Sequence, residues 1–185
     1  NIFRMHIKPG GKASRETTFE YCLEQKLLGV GWQVQSLDNT QNWEDYHKKA
    51  KDKYGKVNQC AYIHKHVKVD DLVWTRDKNK GYFLAKVVSE WEYFNSEVSI
   101  NENIDIVNIF RDELLAVPIG AVQGKVIASF RASRACQNIA GKSIKIYSRM
   151  LWNELSQNQY YDTSNDKFND IFLMLDDEET EDLVF

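Results

Sequence analysis

Apolar and polar residues alternate over residues 2–8, which is the pattern of a β-strand whose two faces differ. The sequence Pro9-Gly10-Gly11 ends this strand, because proline and glycine interrupt regular structure. We therefore predict one apolar and one polar face. The apolar positions are Phe3, Met5 and Ile7, and the polar positions are Arg4, His6 and Lys8.

A spacing of three to four residues between apolar positions then predicts two helices. The first continues until Gly29, where glycine ends it. The second covers residues 43–54, and Asn42 is suited to cap its first turn. Between the helices, residues 31–37 are predicted to form a short strand that carries Trp32.

From residue 57 onward the pattern is mainly that of strands. The clearest prediction is a hairpin, in which residues 72–76 and 82–88 flank a polar loop that contains Gly81. Helices and strands together predict an α+β domain. The remaining predicted elements are strands at 104–109 and 124–131, a strand or short helix at 133–140, and a helix at 144–155.

Composition is typical of a globular protein, with 185 residues, 43% hydrophobic and 12% aromatic. The length suits one domain with a core of its own. No apolar run approaches the roughly 18 residues needed to cross a bilayer, and the first residues lack the pattern of a leader. We therefore expect a cytoplasmic protein with no membrane partner.

Charge is distributed unevenly along the chain. Residues 162–185 contain nine acidic residues and one basic residue, so residues 1–161 carry a net charge of +5 although the whole chain has −3. A mildly basic body is compatible with a polyanionic partner. The acidic run 176–182 precedes apolar residues, as in the first turn of a helix. We therefore expect the protein to continue into a further domain after Phe185.

The sequence predicts no catalytic residue, no metal site and no cofactor. His64 and His66 share one face of a predicted strand, but no third ligand has a matching spacing. Nucleophile-elbow, P-loop and zinc-protease motifs are absent from the sequence. A nuclease site made of Asp70, Asp71 and Lys86 stays open, although solvated strand ends account for these residues. Buried free thiols are expected at Cys22, Cys60 and Cys136.

Aromatic residues are interleaved with basic ones, as in proteins that bind unstacked nucleobases. Trp32 follows Gly29-Val30-Gly31, and glycine allows another backbone or a ligand to come close. Such a tryptophan is either a core residue or a platform for a planar ligand. Stacking on an aromatic side chain contributes about 1–3 kcal/mol per base. The interleaved residues are Trp32, Trp74, Trp91, Tyr93, Lys8, Arg76, Arg131 and Arg134.

The order of these motifs resembles that of the YTH and EVE domains of the PUA-like superfamily, which read nucleic acids and in several cases modified bases. The first strand, ending in Ile7-Lys8, is similar to that of YTH domains, with Pro9 in place of a serine. Gly29-Val30-Gly31-Trp32 is similar to the element that carries the first wall of the family's aromatic cage. Ser133-Arg134 resembles a late segment whose arginine approaches phosphate.

The hairpin resembles the central strands of the family, and the segment Trp91-x-Tyr93 resembles bacterial EVE-like modules fused to restriction nucleases. The resemblance covers about residues 2–150. It implies a PUA-like fold, a curved mixed β-sheet or barrel with packed α-helices. Residues 1–155 would form the nucleic-acid-binding domain, and residues 156–185 would form a linker and acidic segment that leads into a nuclease domain.

The implied function is to bind DNA through a flipped, methylated base, as the sensor part of a modification-dependent restriction enzyme. Three alternatives stay open: an RNA-modification reader, a protein-interaction module whose aromatic residues are all core, and a self-contained nuclease. The implied site has three groups of residues. They are the base-binding cage Trp32 with Trp91 or Tyr93, the base or backbone contacts Lys8, Thr75 and Arg76, and the phosphate-binding residues Lys125, Arg131 and Arg134.

Overall fold

The structure, a computed structural model, describes residues 1–8, 10–34 and 42–164. Within these ranges the chain is α+β, with one short 3₁₀ helix at Ile119–Ala121. The strands are β1 Ile2–Met5, β2 Leu27–Val30, β3 Leu72–Arg76, β4 Tyr82–Val87, β5 Glu92–Tyr93, β6 Asn108–Val117 and β7 Cys136–Asn138. The α-helices are α1 Arg15–Gln25, α2 Trp43–Tyr54, α3 Asn58–His66, α4 Glu97–Asn101, α5 Gly124–Ser129 and α6 Lys142–Ser156.

The strands form one strongly curled, half-barrel sheet in the order β2-β6-β4-β3-β1-β7. The sheet is mixed, because β1 runs parallel to β3 while the other described pairs are antiparallel. The long strand β6 joins its two halves. Residues 108–111 of β6 pair with β2, and residues 112–117 pair with β4. The short strand β5 pairs with the beginning of β6.

Alternate residues of the strands supply two hydrophobic cores, one on each face of the sheet. The first core contains Phe3 and Met5 of β1 and the buried residues of α1, α2 and α3. The second core contains Leu72 and Trp74 of β3 and the buried residues of α5 and α6. The prediction that Trp74 belongs to the core is confirmed, since none of its surface is exposed.

Several predicted elements are confirmed. The hairpin of β3 and β4 pairs Leu72 with Lys86 and Arg76 with Tyr82. The helix predicted at 43–54 is α2, and the Asn42 side chain caps it by accepting a hydrogen bond from the Asp45 N–H at 2.9 Å. The predicted free thiols are also confirmed, because all three cysteines are buried and unpaired.

The strands predicted between residues 57 and 66 are wrong, because this segment is helix α3. Cys60 and Ile63 are spaced three residues apart and reach the first core together. His64 and His66 therefore do not share a face, because two positions on a helix are about 200° apart. The strand predicted at 124–131 is wrong for the same reason: Val126 and Phe130 reach the second core from a helical turn.

The first predicted helix also ends earlier than expected. Lys26, with φ of +50°, terminates α1 in a left-handed conformation, and β2 begins at Leu27. Gly29 thus lies within a strand that pairs with β6, where a Cβ would come within 2.3 Å of the Asn108 carbonyl oxygen. Close approach to β6, and not helix termination, is what requires glycine there.

The second core extends past the predicted domain boundary at residue 155. Tyr161 is 7% exposed, and Asn153 of α6 bonds both its N–H, at 3.0 Å, and its carbonyl, at 2.8 Å. Residues 157–161 therefore belong to the folded domain and are not a free linker. The acidic segment predicted at 176–182 lies outside the described residues. None of the described helices is both long and apolar enough to cross a membrane.

Asp112 and His6 are two buried groups whose pKa values are strongly shifted and lie between about 4 and 7. Burial raises the pKa of Asp112 on β6 from 3.8 to about 7, with Arg111 opposing the shift, and its Oδ2 has no hydrogen-bond partner among the described residues. Burial lowers the pKa of His6 from 6.5 to about 4, although the bond to the Ala132 carbonyl opposes this change. Both groups are therefore mainly uncharged in the folded protein near pH 6.

The two groups affect stability in opposite directions. Between about pH 4 and 7 the folded chain keeps a proton on Asp112 that the unfolded chain has released, so stability falls as the pH rises. Between about pH 4 and 6.5 the unfolded chain binds a proton on His6 that the folded chain lacks, so stability rises with pH.

We expect Asp112→Asn to abolish the fall in stability with rising pH that Asp112 causes. The rise in stability with pH that His6 causes should remain. The unfolding free energy of the variant, relative to the wild type, should increase by about 1.4 kcal/mol for each pH unit between about pH 4 and 7. Urea unfolding at three or more pH values in that range measures it. Asp52→Asn, at an exposed position of α2, is the matched control. A difference for Asp112→Asn that does not vary with pH would contradict this explanation.

Candidate functional site

The turn that carries Trp32 is held by a single carboxylate. The N–H groups of Trp32 and Gln33 donate to the two oxygens of Asp105, at 3.1 and 2.9 Å. Trp32 has φ of +72°, a conformation that residues other than glycine rarely adopt. At Gly31 a Cβ would come within 2.5 Å of the same carboxylate, so glycine is required there. Burial raises the pKa of Asp105, and the two N–H bonds oppose that rise.

Asn108, the first residue of β6, connects this turn to Trp91. Its side chain is fully buried. The Nδ2 group donates to the Gly31 carbonyl and to the Tyr46 hydroxyl, both at 2.6 Å, and the Oδ1 atom accepts from the Trp91 indole N–H at 3.2 Å. The Tyr46 hydroxyl donates in turn to the Trp32 carbonyl at 3.0 Å. One buried network therefore brings together the two tryptophans predicted to form a cage.

Neighbouring aromatic rings fix the orientation of Trp91. Trp43 packs edge-on against it, with ring centroids 5.1 Å apart and planes at 87°, and His64 has the same relation at 5.6 Å. Trp43 also stacks on His64 at 4.0 Å with an angle of 4°. Burial and the nearby Lys68 lower the pKa of His64, so this stack is uncharged at neutral pH. Trp91 is thus a preoriented, partly buried ring.

Trp32 is different, because no described aromatic ring stacks on its indole. The side chain is partly buried and packs against the edge of the first core. It is therefore neither sealed in the interior nor fully exposed. A cage wall must stack on a planar ligand, and no described aromatic ring occupies that position on Trp32.

Tyr93, the alternative second wall, is a core residue, and that prediction is wrong. Its side chain is 1% exposed, its ring packs on Tyr46 at 5.2 Å, and its hydroxyl donates to the Val34 carbonyl at 2.5 Å. The residue lies on β5 and packs into the first core. A ligand cannot use the face of a ring enclosed in this way.

The two predicted contact residues of the hairpin differ in burial. Thr75 is fully buried in the sheet, so it cannot contact a base or a backbone, and that prediction is wrong. Arg76 is partly buried, and its guanidinium lies 4.8 Å from the centre of the Phe130 ring. Its charge is available near the surface, but its planar face is already stacked on Phe130.

Three of the predicted cations lie together at one end of β1. Lys8, Arg131 and Arg134 are exposed, and the Lys8 Nζ atom donates to the Ser133 carbonyl at 2.6 Å, between the two arginines in sequence. Lys125 is not part of this group by any described contact. It is partly buried in the first turn of α5, where its ammonium lies against Gly141.

The basic group is close to the turn of Trp32. Lys8 precedes Gly10 by two residues, a span of at most about 7 Å. A Cβ at Gly10 would come within 2.5 Å of Asp105 Oδ2, the atom that binds the Trp32 N–H. Gly10, five residues after the end of β1, and the Trp32 turn therefore meet at the same carboxylate, although they are far apart in sequence.

The predicted site lacks three residues that build this region: Arg4, Asp105 and Asn108. The sequence does indicate Asp105 and Asn108, because both are polar residues within the apolar run 104–110. A polar residue at a predicted core position indicates a buried hydrogen-bond network. In the described ranges, no three histidine, cysteine or acidic side chains are grouped as metal ligands.

A comparison of the chain with protein-family models, with characterised proteins and with solved structures finds no match. The assignment of a function therefore depends on the geometry of the site and on the sequence motifs.

We expect Asn108→Ala to destabilise the protein by about 3 kcal/mol, because it leaves buried polar groups of Gly31, Tyr46 and Trp91 without partners. The indole N–H signal of Trp91 in a ¹H–¹⁵N NMR spectrum should shift as well. Asn153→Ala is the matched control, since Asn153 is another buried asparagine with two backbone bonds. The control should lose comparable stability and leave the Trp91 signal unchanged. An unshifted signal in Asn108→Ala would contradict the network.

Proposed function

We propose that this domain reads a modified base in DNA, holding a flipped, methylated base between Trp32 and Trp91. The observation that carries the proposal is the Asn108 network, in which one buried amide bonds the turn of Trp32 and the indole of Trp91. Both tryptophans are partly buried at the edge of the first core, and Trp32 has no described ring partner. A preoriented ring and an unstacked ring are the parts that a base-binding slot requires.

The chemistry of a methylated base suits such a slot. A base that leaves the duplex loses its stacking, and an aromatic face compensates by about 1–3 kcal/mol. The methyl group adds apolar surface, whose burial contributes about 0.8 kcal/mol per carbon. Lys8, Arg131 and Arg134 are exposed, and positive charge of this kind supports the proposal because cations attract the phosphates of a nucleic-acid strand.

The curled mixed sheet with its packed helices is compatible with a PUA-like fold, to which the YTH and EVE domains belong. On this proposal the domain is the sensor part of a modification-dependent restriction enzyme. That context rests on the resemblance of Gly29-Val30-Gly31-Trp32, of Ser133-Arg134 and of the 91–93 segment to the family motifs.

We expect Trp32→Ala to weaken binding of an oligonucleotide with the recognised base by about ten- to hundredfold, as the loss of one stacking contact requires. The fold should be kept, because the indole is only partly buried. Tyr160→Ala, which removes an exposed aromatic ring next to the second core, is the control and should bind normally. Loss of about 3–5 kcal/mol of stability with no specific loss of binding would identify Trp32 as a core residue instead.

We expect DNA with one methylated base to bind more tightly than the same DNA without it. A fluorescence-anisotropy panel of matched duplexes with methyladenine, methylcytosine, hydroxymethylcytosine or no modification, at one salt concentration, measures this difference. The same sequences as RNA separate the two classes of nucleic acid. A clear preference for RNA would reverse the DNA assignment, and equal affinity for all oligonucleotides would exclude a modified-base reader.

A further inference from the structure

The segment of residues 32–34 belongs to no helix or strand, and side chains hold its main chain. The N–H groups of Trp32 and Gln33 both donate to the Asp105 carboxylate. The Trp32 carbonyl accepts from the hydroxyl of the fully buried Tyr46 at 3.0 Å. Because both N–H groups are bonded within the fold, neither is available to donate to a ligand that stacks on Trp32.

Gln33 is fixed at both of its main-chain groups. Its N–H donates to Asp105 at 2.9 Å. Its carbonyl accepts two hydrogen bonds from the end of α2, one from the Lys53 ammonium at 2.9 Å and one from the Tyr54 hydroxyl at 2.6 Å. These two bonds occupy both lone pairs of the carbonyl oxygen. Two distant parts of the chain therefore determine the point from which the Gln33 side chain extends.

The other polar side chains around the two tryptophans have no donor left for a ligand. The Asn108 amide is fully buried and makes three hydrogen bonds, one of them from the Trp91 indole N–H. The hydroxyls of Tyr46 and Tyr93 are buried and donate to main-chain carbonyls. These groups hold the region together, and none of them can donate to the edge of a bound base.

The side chain of Gln33 differs from these groups, because no described residue bonds its amide. The residue is half-buried and directly follows Trp32, so their Cα atoms are about 3.8 Å apart. An amide offers donors and an acceptor together. Stacking alone tolerates any base, since every base has a π-face. A reader therefore needs a hydrogen-bonding group beside its stacking ring, and Gln33 supplies one.

We propose that Gln33 is the specificity-determining residue of the base slot, and that its side-chain amide makes paired hydrogen bonds to the edge of a base stacked on Trp32. The amide oxygen accepts from an amino N–H of the base, and the amide N–H donates to the neighbouring ring nitrogen. Adenine and cytosine derivatives that keep an amino hydrogen present this pair of groups. Lys53 and Tyr54 are positioning residues, because they act through the Gln33 carbonyl. This inference rests on the proposed function and adds which part of the base is read.

Two pairs of DNA oligonucleotides test the contact with the 185-residue chain. One pair carries N6-methyladenine or N6,N6-dimethyladenine, and the other carries 5-methylcytosine or 5-methylpyrimidin-2-one. The second member of each pair still stacks but has no amino hydrogen. We expect the first member of one pair to bind about ten- to hundredfold more tightly than the second, as a bidentate amide–base contact requires. Fluorescence anisotropy at one salt concentration measures the ratio.

Gln33→Met removes the amide and keeps the length of the side chain. We expect this variant to bind both members of the pair equally and to keep its fold, because the side chain is half-buried and bonds no described residue. Gln25→Met is the matched control and should keep the wild-type ratio. Gln25 is a half-buried glutamine at the end of α1, its carbonyl accepts from Arg111 at 3.2 Å, and no described residue bonds its side chain.

Tyr54→Phe tests the positioning role, because it removes one of the two bonds to the Gln33 carbonyl. We expect the ratio between the two members of the pair to fall by about two- to fivefold, and the Gln33 main-chain signal in a ¹H–¹⁵N NMR spectrum to shift. Tyr147→Phe removes the same kind of bond, to the Ala121 carbonyl at 2.9 Å, and should change neither quantity. A Tyr54→Phe variant that loses stability but keeps the ratio would overturn the positioning role.

The outcomes separate this inference from the proposed function. Suppose that the wild-type chain prefers a methylated base and that Trp32→Ala weakens this preference. An unchanged ratio in Gln33→Met would then overturn the Gln33 contact and leave the base reader standing. A wild-type chain that binds modified and unmodified oligonucleotides equally would overturn the reader itself.

Discussion

The side-chain amide of Asn108 is the interaction on which the candidate site depends. It lies at the start of the strand that joins both halves of the sheet, and its two ends bond groups from different parts of the chain. Leaving any one of these groups buried without a partner would lower the stability of the fold by about 1–3 kcal/mol. The amide therefore makes the turn of Trp32 and the ring of Trp91 mutually dependent, although 59 positions of sequence separate them.

A second polar side chain from the same region adds strain to this arrangement. Asp105 holds Trp32 at φ of +72° by accepting two main-chain N–H bonds, and Gly10 and Gly31 leave room for its carboxylate. A non-glycine residue in this conformation, which costs of order 1–3 kcal/mol, persists only where its surroundings over-determine it. Here the carboxylate and the Asn108 network do so together, and the strained residue carries the indole on which no described aromatic ring stacks.

The polar residues Arg4 and His6 are held by a different set of contacts. Arg4 and His6 are both buried, and burying an arginine without a counter-ion is costly. Both side chains donate hydrogen bonds to carbonyl groups of a surface loop. The loop that they hold carries the exposed side chains of Arg131 and Arg134.

The sequence predicts those structural elements that are determined by residues close together in the chain. The hairpin, helix α2 and helix α6 follow from residues that are close together in sequence, since turn residues, caps and apolar spacing act over a few positions. The α+β class and the burial of Trp74 were likewise accessible from the sequence. The helices α3 and α5 were not, because short apolar runs fit a strand or a helix equally well until a core selects one.

The tertiary structure alone decided which aromatic and polar side chains lie at the edge of the core and which are enclosed. Trp91 and Tyr93 are two positions apart, but curvature of the sheet and pairing with β6 leave one ring at the edge and enclose the other. Arg4 and His6 have the alternation of a solvent-facing strand, yet the 132–135 loop covers them. Amino-acid order determines what each side chain can do chemically. Contacts between residues that are distant in sequence determine whether it faces water, a ligand or the core.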